Sequence, residues 1–226
     1  MTSVWSTLVP LIIGSALVPM QIVIAVLLLQ STSGRRAAIA FVLGMTSVRL
    51  LQGVVFGLIL SSSEVEATNS QESSAIASIL LVVVAVLFLV TALRHLLSDD
   101  DPDAAPPKWL AATASMTPGR AFLLGVGLLA IGAKFWVFTL SAIAAIGDAD
   151  LGRPAAIATF LVFTVLAVSV QLALIGVTVF APARSDALLD RASDWLSRHN
   201  RVMMIVIGLV FGGWFLVKGL DGLGVW

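Results

Sequence analysis

The chain has 226 residues, 59% of them hydrophobic and only 12% charged, with a mean hydropathy of +1.05. Soluble domains run at roughly 45–50% apolar and about 25% charged, so the composition is that of a multi-span integral membrane protein. Zero net charge with no basic block excludes a nucleic-acid binder. The lack of cysteine excludes thiolate, disulfide-exchange and iron–sulfur chemistry. The two histidines, His95 and His199, each stand beside an arginine at a span end and do not make a metal centre.

Six apolar runs follow in order, at about 4–30, 37–60, 74–97, 118–147, 153–180 and 201–222. None alternates at period two, so they predict helices and not a closed barrel. The first run lacks a basic leader and a clear small-residue cleavage site, and it reads as a span, not a removed signal peptide. Ser31 to Arg36 is a tight turn, Ser61 to Ser74 is polar and acidic, and Ser98 to Thr117 carries DDDPDAAPPK. The acidic cluster reads as a solvated linker, with a cation site as the alternative. The fifth connector places Leu188, Leu189, Ala192, Trp195 and Leu196 at helical spacing opposite Arg and Asp. It predicts a separate amphipathic helix, about 183–199, lying on the cytoplasmic leaflet.

Arg35, Arg36, Arg94, Lys108, Arg120, Arg184, Arg191, Arg198 and Arg201 all belong to connectors one, three and five. By the positive-inside rule those connectors are cytoplasmic and both termini lie outside. Three spans per half then make the halves antiparallel, as in the inverted repeats of secondary transporters. The expected fold is therefore all-α and polytopic, six transmembrane helices in two inverted three-helix repeats, N-out/C-out. The first repeat is 1–97, the cytoplasmic linker 98–117 and the second repeat 118–226. Placing Phe41 on Phe160 also superposes Gln52 on Gln171 and Gly57 on Gly176; chance among apolar segments is the alternative.

Few polar groups lie at depth: Pro19 and Gln21 in span 1, Arg49 and Gln52 one turn apart in span 2, Gly132 and Lys134 in span 4, and Gln171 in span 5. Arg49 and Lys134 come close to the bilayer midplane, where a cation costs roughly 2.5–3.5 kcal/mol. All 13 acids lie in connectors or at span ends, so neither cation has a carboxylate at its own depth. Two uncompensated cations suit an anionic group such as carboxylate, sulfate or phosphate, arginine as a rigid fork and lysine as a point charge. A lysine that gives up its proton and carries coupling is the alternative. Pro19 frees a backbone carbonyl, and Gln21, Gln52 and Gln171 line the path or hydrogen-bond across helices. Gly53 with Gly57, and Gly208 with Gly212, form GxxxG packing faces, within one subunit or between two copies in a homodimer.

The run from Trp109 through Pro118-Gly119-Arg120-Ala121-Phe122 to Lys134, with Pro19 in SALVPMQ and the third span ending TALRH, resembles the lysine-exporter superfamily. Within it the chain is most similar to the glycolipid-addressing, or sulfolipid-addressing, branch. The resemblance implies a multi-pass protein of the bacterial cytoplasmic membrane that moves an envelope glycolipid or another amphiphilic, anionic solute. Family members often carry Asn-Pro-Lys in span 4 and a Pro-Gly-Pro-like break in span 1. This chain has Gly132-Ala133-Lys134 and Val18-Pro19-Met20, which leaves a sharp break in span 4 open and argues against amino-acid export. Lys134, Arg49, Pro19, Gln21, Gln52 and Gln171 are the candidate substrate-binding residues, with no catalytic set, metal or cofactor. Membrane lipids and the substrate are the expected partners. A scaffold that recruits biosynthetic enzymes through helix 183–199 and the acidic loop is the alternative, and an intramembrane enzyme ranks third.

Overall fold

A computed structural model describes residues 4–63, 70–97, 113 and 115–225, and these form helices without strands. In chain order they are α1 (Trp5–Ala16), α2 (Pro19–Gln30), α3 (Gly34–Ser63), α4 (Ser70–Leu97), α5 (Pro118–Ile131), α6 (Ala133–Gly147), α7 (Arg153–Leu166), α8 (Ser169–Phe180) and α9 (Pro182–Gly222). The acidic residues Glu64, Glu66 and Asp99 to Asp103, with Lys108 and Trp109, lie outside the described residues.

Two stretches are long and apolar enough to cross a membrane unbroken, Gly34–Gly57 and Arg201–Gly222. Three helix pairs meet the same test only when each bent pair is taken together: α1–α2, bent by 48°, α5–α6 by 68° and α7–α8 by 57°. The expected third span, 74–97, falls in α4. Within it, among the described residues, Leu81–Leu97 forms a shorter apolar helix. Among the described residues there are thus two candidate spans, or up to five when each bent pair counts as one. The outer surface is apolar, with Ile131 85% and Phe180 88% exposed, as lipid contact requires.

Two of the three bends have a local cause. Pro19 has no N–H for the Ser15 carbonyl, so α1 stops at Ala16; Val18 turns extended (ψ 111°), and α2 restarts with proline in its first turn. Gly132 is also extended (φ −75°, ψ 94°), and a Cβ there would run into the Phe135 ring and the Leu128 carbonyl. The indole Nε1 of Trp136 donates to the Ala130 carbonyl at 2.8 Å, satisfying an acceptor at the break. The sharp break that the missing Asn-Pro left open is therefore present, centred on Gly132. Neither proline nor glycine marks the third bend, at Val168 (φ −115°, ψ 15°).

Close crossings hold the bundle. A Cβ on Gly44 would strike the Phe122 carbonyl, and one on Gly125 would strike the Phe41 carbonyl, so α3 and α5 meet backbone to backbone. Gly208 and Gly212 lie against Ala92 and Leu89 of α4, so this face packs within the chain. Gly53 instead receives the Phe160 ring and Gly57 meets nothing within 4 Å, so the span 2 pair is not a helix-crossing face within the chain. Phe88, Phe138, Phe211 and Phe215 lock α4, α6 and α9 together, with Phe88 and Phe138 edge-on at 5.6 Å.

The expected separate amphipathic helix 183–199 is the first half of α9, one helix of 41 residues. At 1.5 Å per residue it is about 60 Å long, twice the hydrocarbon thickness. Between Pro182 and Gly208 the sequence offers no glycine or proline to stop it. Leu189 is buried and Gln30 Nε2 donates to Asp190 Oδ1 at 2.7 Å, which ties this half to the end of α2. Further along, Arg201 donates to the His95 and Leu96 carbonyls at 2.9 and 3.3 Å, a cation capping the C-terminus of α4.

Candidate functional site

Arg49 is the largest fully buried side chain among the described residues, at 0% exposure. Its Nη2 donates to Ser15 Oγ in the last turn of α1. Its Nε and Nη1 have no hydrogen-bond partner among the described residues, and no carboxylate neutralises it there. Gln52, one turn further along α3, is 4% exposed with neither amide atom partnered. A guanidinium stripped of water and given one bond is an unmet demand for negative charge.

Gln21 and Gln171 are each the third residue of the half-helix that follows a break, and both are fully buried. Gln171 Nε2 donates to Gln21 Oε1 at 3.3 Å, so the first turns of α2 and α8 lie side by side. Each glutamine keeps one atom unpartnered, Gln21 Nε2 as a donor and Gln171 Oε1 as an acceptor. Half-helix N-termini carry partial positive charge, and α2, α6 and α8 all begin at such mid-span breaks.

The candidate residues are joined through α3. It packs against α2, which carries Pro19 and Gln21, against α8 with Gln171, and against α6, whose second residue is Lys134. The Lys134 side chain itself lies outside the described residues. Sequence reasoning missed Ser15, which stands four residues before Pro19 and holds Arg49. It also missed Thr139 and Ser141 of α6, buried hydroxyls without partners. Pro19 faces elsewhere, into a small apolar cavity of about 30 Å³ that Arg49 does not line.

The family model described as Sap, sulfolipid-1-addressing protein, matches residues 8–221. The chain belongs to the sulfolipid-1-addressing protein family. The match runs from α1 to the last turns of α9, so every break and every candidate residue of this sulfolipid-1-addressing family member lies inside it. No curated protein and no solved structure matches the chain.

A buried donor set of this kind can bind an anionic oxygen group in a water-poor setting, where each charge-assisted bond counts for more than at a surface. Among the described residues no group of His, Cys, Asp or Glu is placed to hold a metal ion.

Proposed function

We propose that this protein is a membrane exporter of an anionic amphiphile, an envelope glycolipid or a smaller solute with a lipid-like tail, and not an enzyme. The observation that carries the proposal is Arg49, fully buried with Nε and Nη1 unpartnered. The sulfolipid family membership supports a sulfated or similarly acidic head as the group it receives. In this reading Arg49 forks the anion, Lys134 adds a point charge from the start of α6, and Gln21, Gln52 and Gln171 line the path. Pro19 breaks span 1 one turn after Ser15, the residue that holds Arg49.

The wider frame is proposed with it: two inverted three-helix repeats, both termini outside, in the bacterial cytoplasmic membrane, related to the lysine-exporter superfamily. The three bends supply the discontinuous helices that such a transporter moves about a central site. Proton-motive coupling belongs to the same proposal. Reconstitution tests it: Arg49→Ala and Lys134→Ala should abolish export from vesicles while the protein stays inserted and folded. Normal export by either variant removes that residue from the site.

A scaffold for glycolipid biosynthesis is the second reading. Leu188 and Trp195 favour it, exposed at 46% and 53% on the polar half of α9. Deleting residues 99–107 and replacing Trp195 with Glu discriminates: a lost enzyme partner with export intact supports the scaffold.

A further inference from the structure

α9 keeps one side turned to the bundle along its whole length. Asp190 is held by Gln30, Arg201 caps the end of α4, and Gly208, Gly212 and Gly219 make the close contacts with α4. At 3.6 residues per turn these five lie within about 40° of one another. Opposite them runs an open line. Leu188, Arg191, Trp195 and Arg198 are exposed in the first half of the helix, and Val202, Val206 and Val217 in the second, all within an arc of about 100°. No glycine or proline interrupts the helix between Pro182 and Gly208, so the two halves keep one register. The side that meets hydrocarbon at Val202 and Val206 is therefore the side that carries Arg191, Trp195 and Arg198.

Indole and guanidinium are the groups that settle at the headgroup layer, the ring at the hydrocarbon edge and the cation on phosphate. Here the indole is held in place: His199 stacks on it at 5.0 Å and donates from Nδ1 to the Trp195 carbonyl at 2.9 Å. Along the axis Trp195 stands about 10 Å from Val202, and Leu188 about 21 Å. The headgroup layer is only about 5–8 Å deep on each side, so a helix standing upright would strand Leu188 in water. Two ties prevent that. Asp190 is bound where α2 stops and Arg201 where α4 stops, about 16 Å apart along α9, so the segment between them runs along the end of the bundle.

We propose that this face of α9 docks on the headgroup layer of an anionic leaflet, with Trp195 at the hydrocarbon edge and Arg191 and Arg198 on lipid phosphates. The leaflet is the cytoplasmic one in the orientation proposed above, and the docking does not depend on export. The occupant is lipid because the face continues the lipid-facing line of the same helix. Its two arginines select anionic heads, while Asp190 is turned to the opposite side. Leu189 is buried and Asp190 holds Gln30, so a docked α9 also fixes the end of α2, the half-helix that carries Gln21.

The chain has no cysteine, so one introduced cysteine carries the only nitroxide. The full chain with Leu188→Cys is placed in nanodiscs of phosphatidylcholine alone, or of an equal mixture with phosphatidylglycerol. Electron paramagnetic resonance then reads the label's access to oxygen and to a water-soluble nickel chelate. In anionic discs the label is expected in the headgroup layer, and in phosphatidylcholine alone the docked fraction falls. Arg191→Gln and Arg198→Gln should each lower the docked-to-free ratio in anionic discs by about fivefold, and Arg191→Lys should restore it. A nitroxide at Val206→Cys should sit in hydrocarbon in both discs; one in water there overturns the shared register. Amide exchange over residues 24–30 should slow as docking increases. A label at position 188 that docks equally in both lipids, or that ignores the loss of both arginines, overturns the proposal. So does a label that stays in water in anionic discs and is immobilised only by added membrane-free cytosol, since the face then binds protein. Exchange at 24–30 that is indifferent to docking overturns the link to α2 and leaves the lipid contact standing.

Discussion

Arg49→Met separates what this arginine does for folding from what it does for binding. Methionine has a similar length and volume, and it removes a charge that the folded protein desolvates and pairs with one serine hydroxyl. Exchanging buried ions for apolar side chains of similar size is neutral, or stabilising by about 1–4 kcal/mol. Losing the bond to Ser15 Oγ costs about 1 kcal/mol, and the hydroxyl can turn back to the Leu11 carbonyl of its own helix. The variant should therefore unfold at the same temperature as the parent or higher. Binding should move the other way. Two open nitrogens that each give a charge-assisted bond, at about 1.5–3 kcal/mol apiece, together supply about 3–6 kcal/mol. Their loss weakens binding by roughly 10²- to 10⁴-fold. Thermal unfolding in a neutral detergent and calorimetric titration with octyl sulfate measure the two effects on one sample. A variant that is several kcal/mol less stable and still binds within about threefold refutes the reasoning, because Arg49 would then be a structural strut.

Other perturbations follow from the same contacts. Gly44→Val and Gly125→Val force a side chain into the α3–α5 crossing and should cost about 1–3 kcal/mol or more, seen as lost yield and a lower unfolding temperature, whereas Gly57→Ala should be neutral or slightly stabilising. Gln21→Leu or Gln171→Leu alone orphans the partner amide and should destabilise by about 1–3 kcal/mol, while the double variant recovers most of that loss and still fails to export. Arg201→Ala uncaps α4 and should lower stability by about 1 kcal/mol, with faster amide exchange confined to the end of that helix.

The apolar runs were legible because hydrophobic length is a local cause; at Pro19 the sequence offered a kink or a freed carbonyl, and the structure shows the helix interrupted there. Gly132 was harder to read. Glycine permits a break without imposing one, and here the Phe135 ring packed on its bare Cα and the Trp136 indole on the Ala130 carbonyl decide the matter. The bend at Val168 has no local signal at all. Just beyond it Gln171 donates to Gln21, a tertiary contact that no window of the chain contains. Arg49 was recognisable as a midplane cation with no acid at its depth. Ser15 was not, because a serine in an apolar helix ordinarily bonds its own backbone. The α9 boundary was misplaced for a plainer reason: a change from polar to apolar surface is a change of solvent, and the backbone continues through it unless a residue breaks it.

The most direct measurement is an electron cryomicroscopy structure of the protein with hexadecyl sulfate bound. The account predicts sulfate density within hydrogen-bond distance of Arg49 Nη1 or Nε, beside the breaks that begin α2 and α8. Sulfate found only on the surface arginines, or an Arg49 guanidinium paired with an aspartate or glutamate, would contradict it.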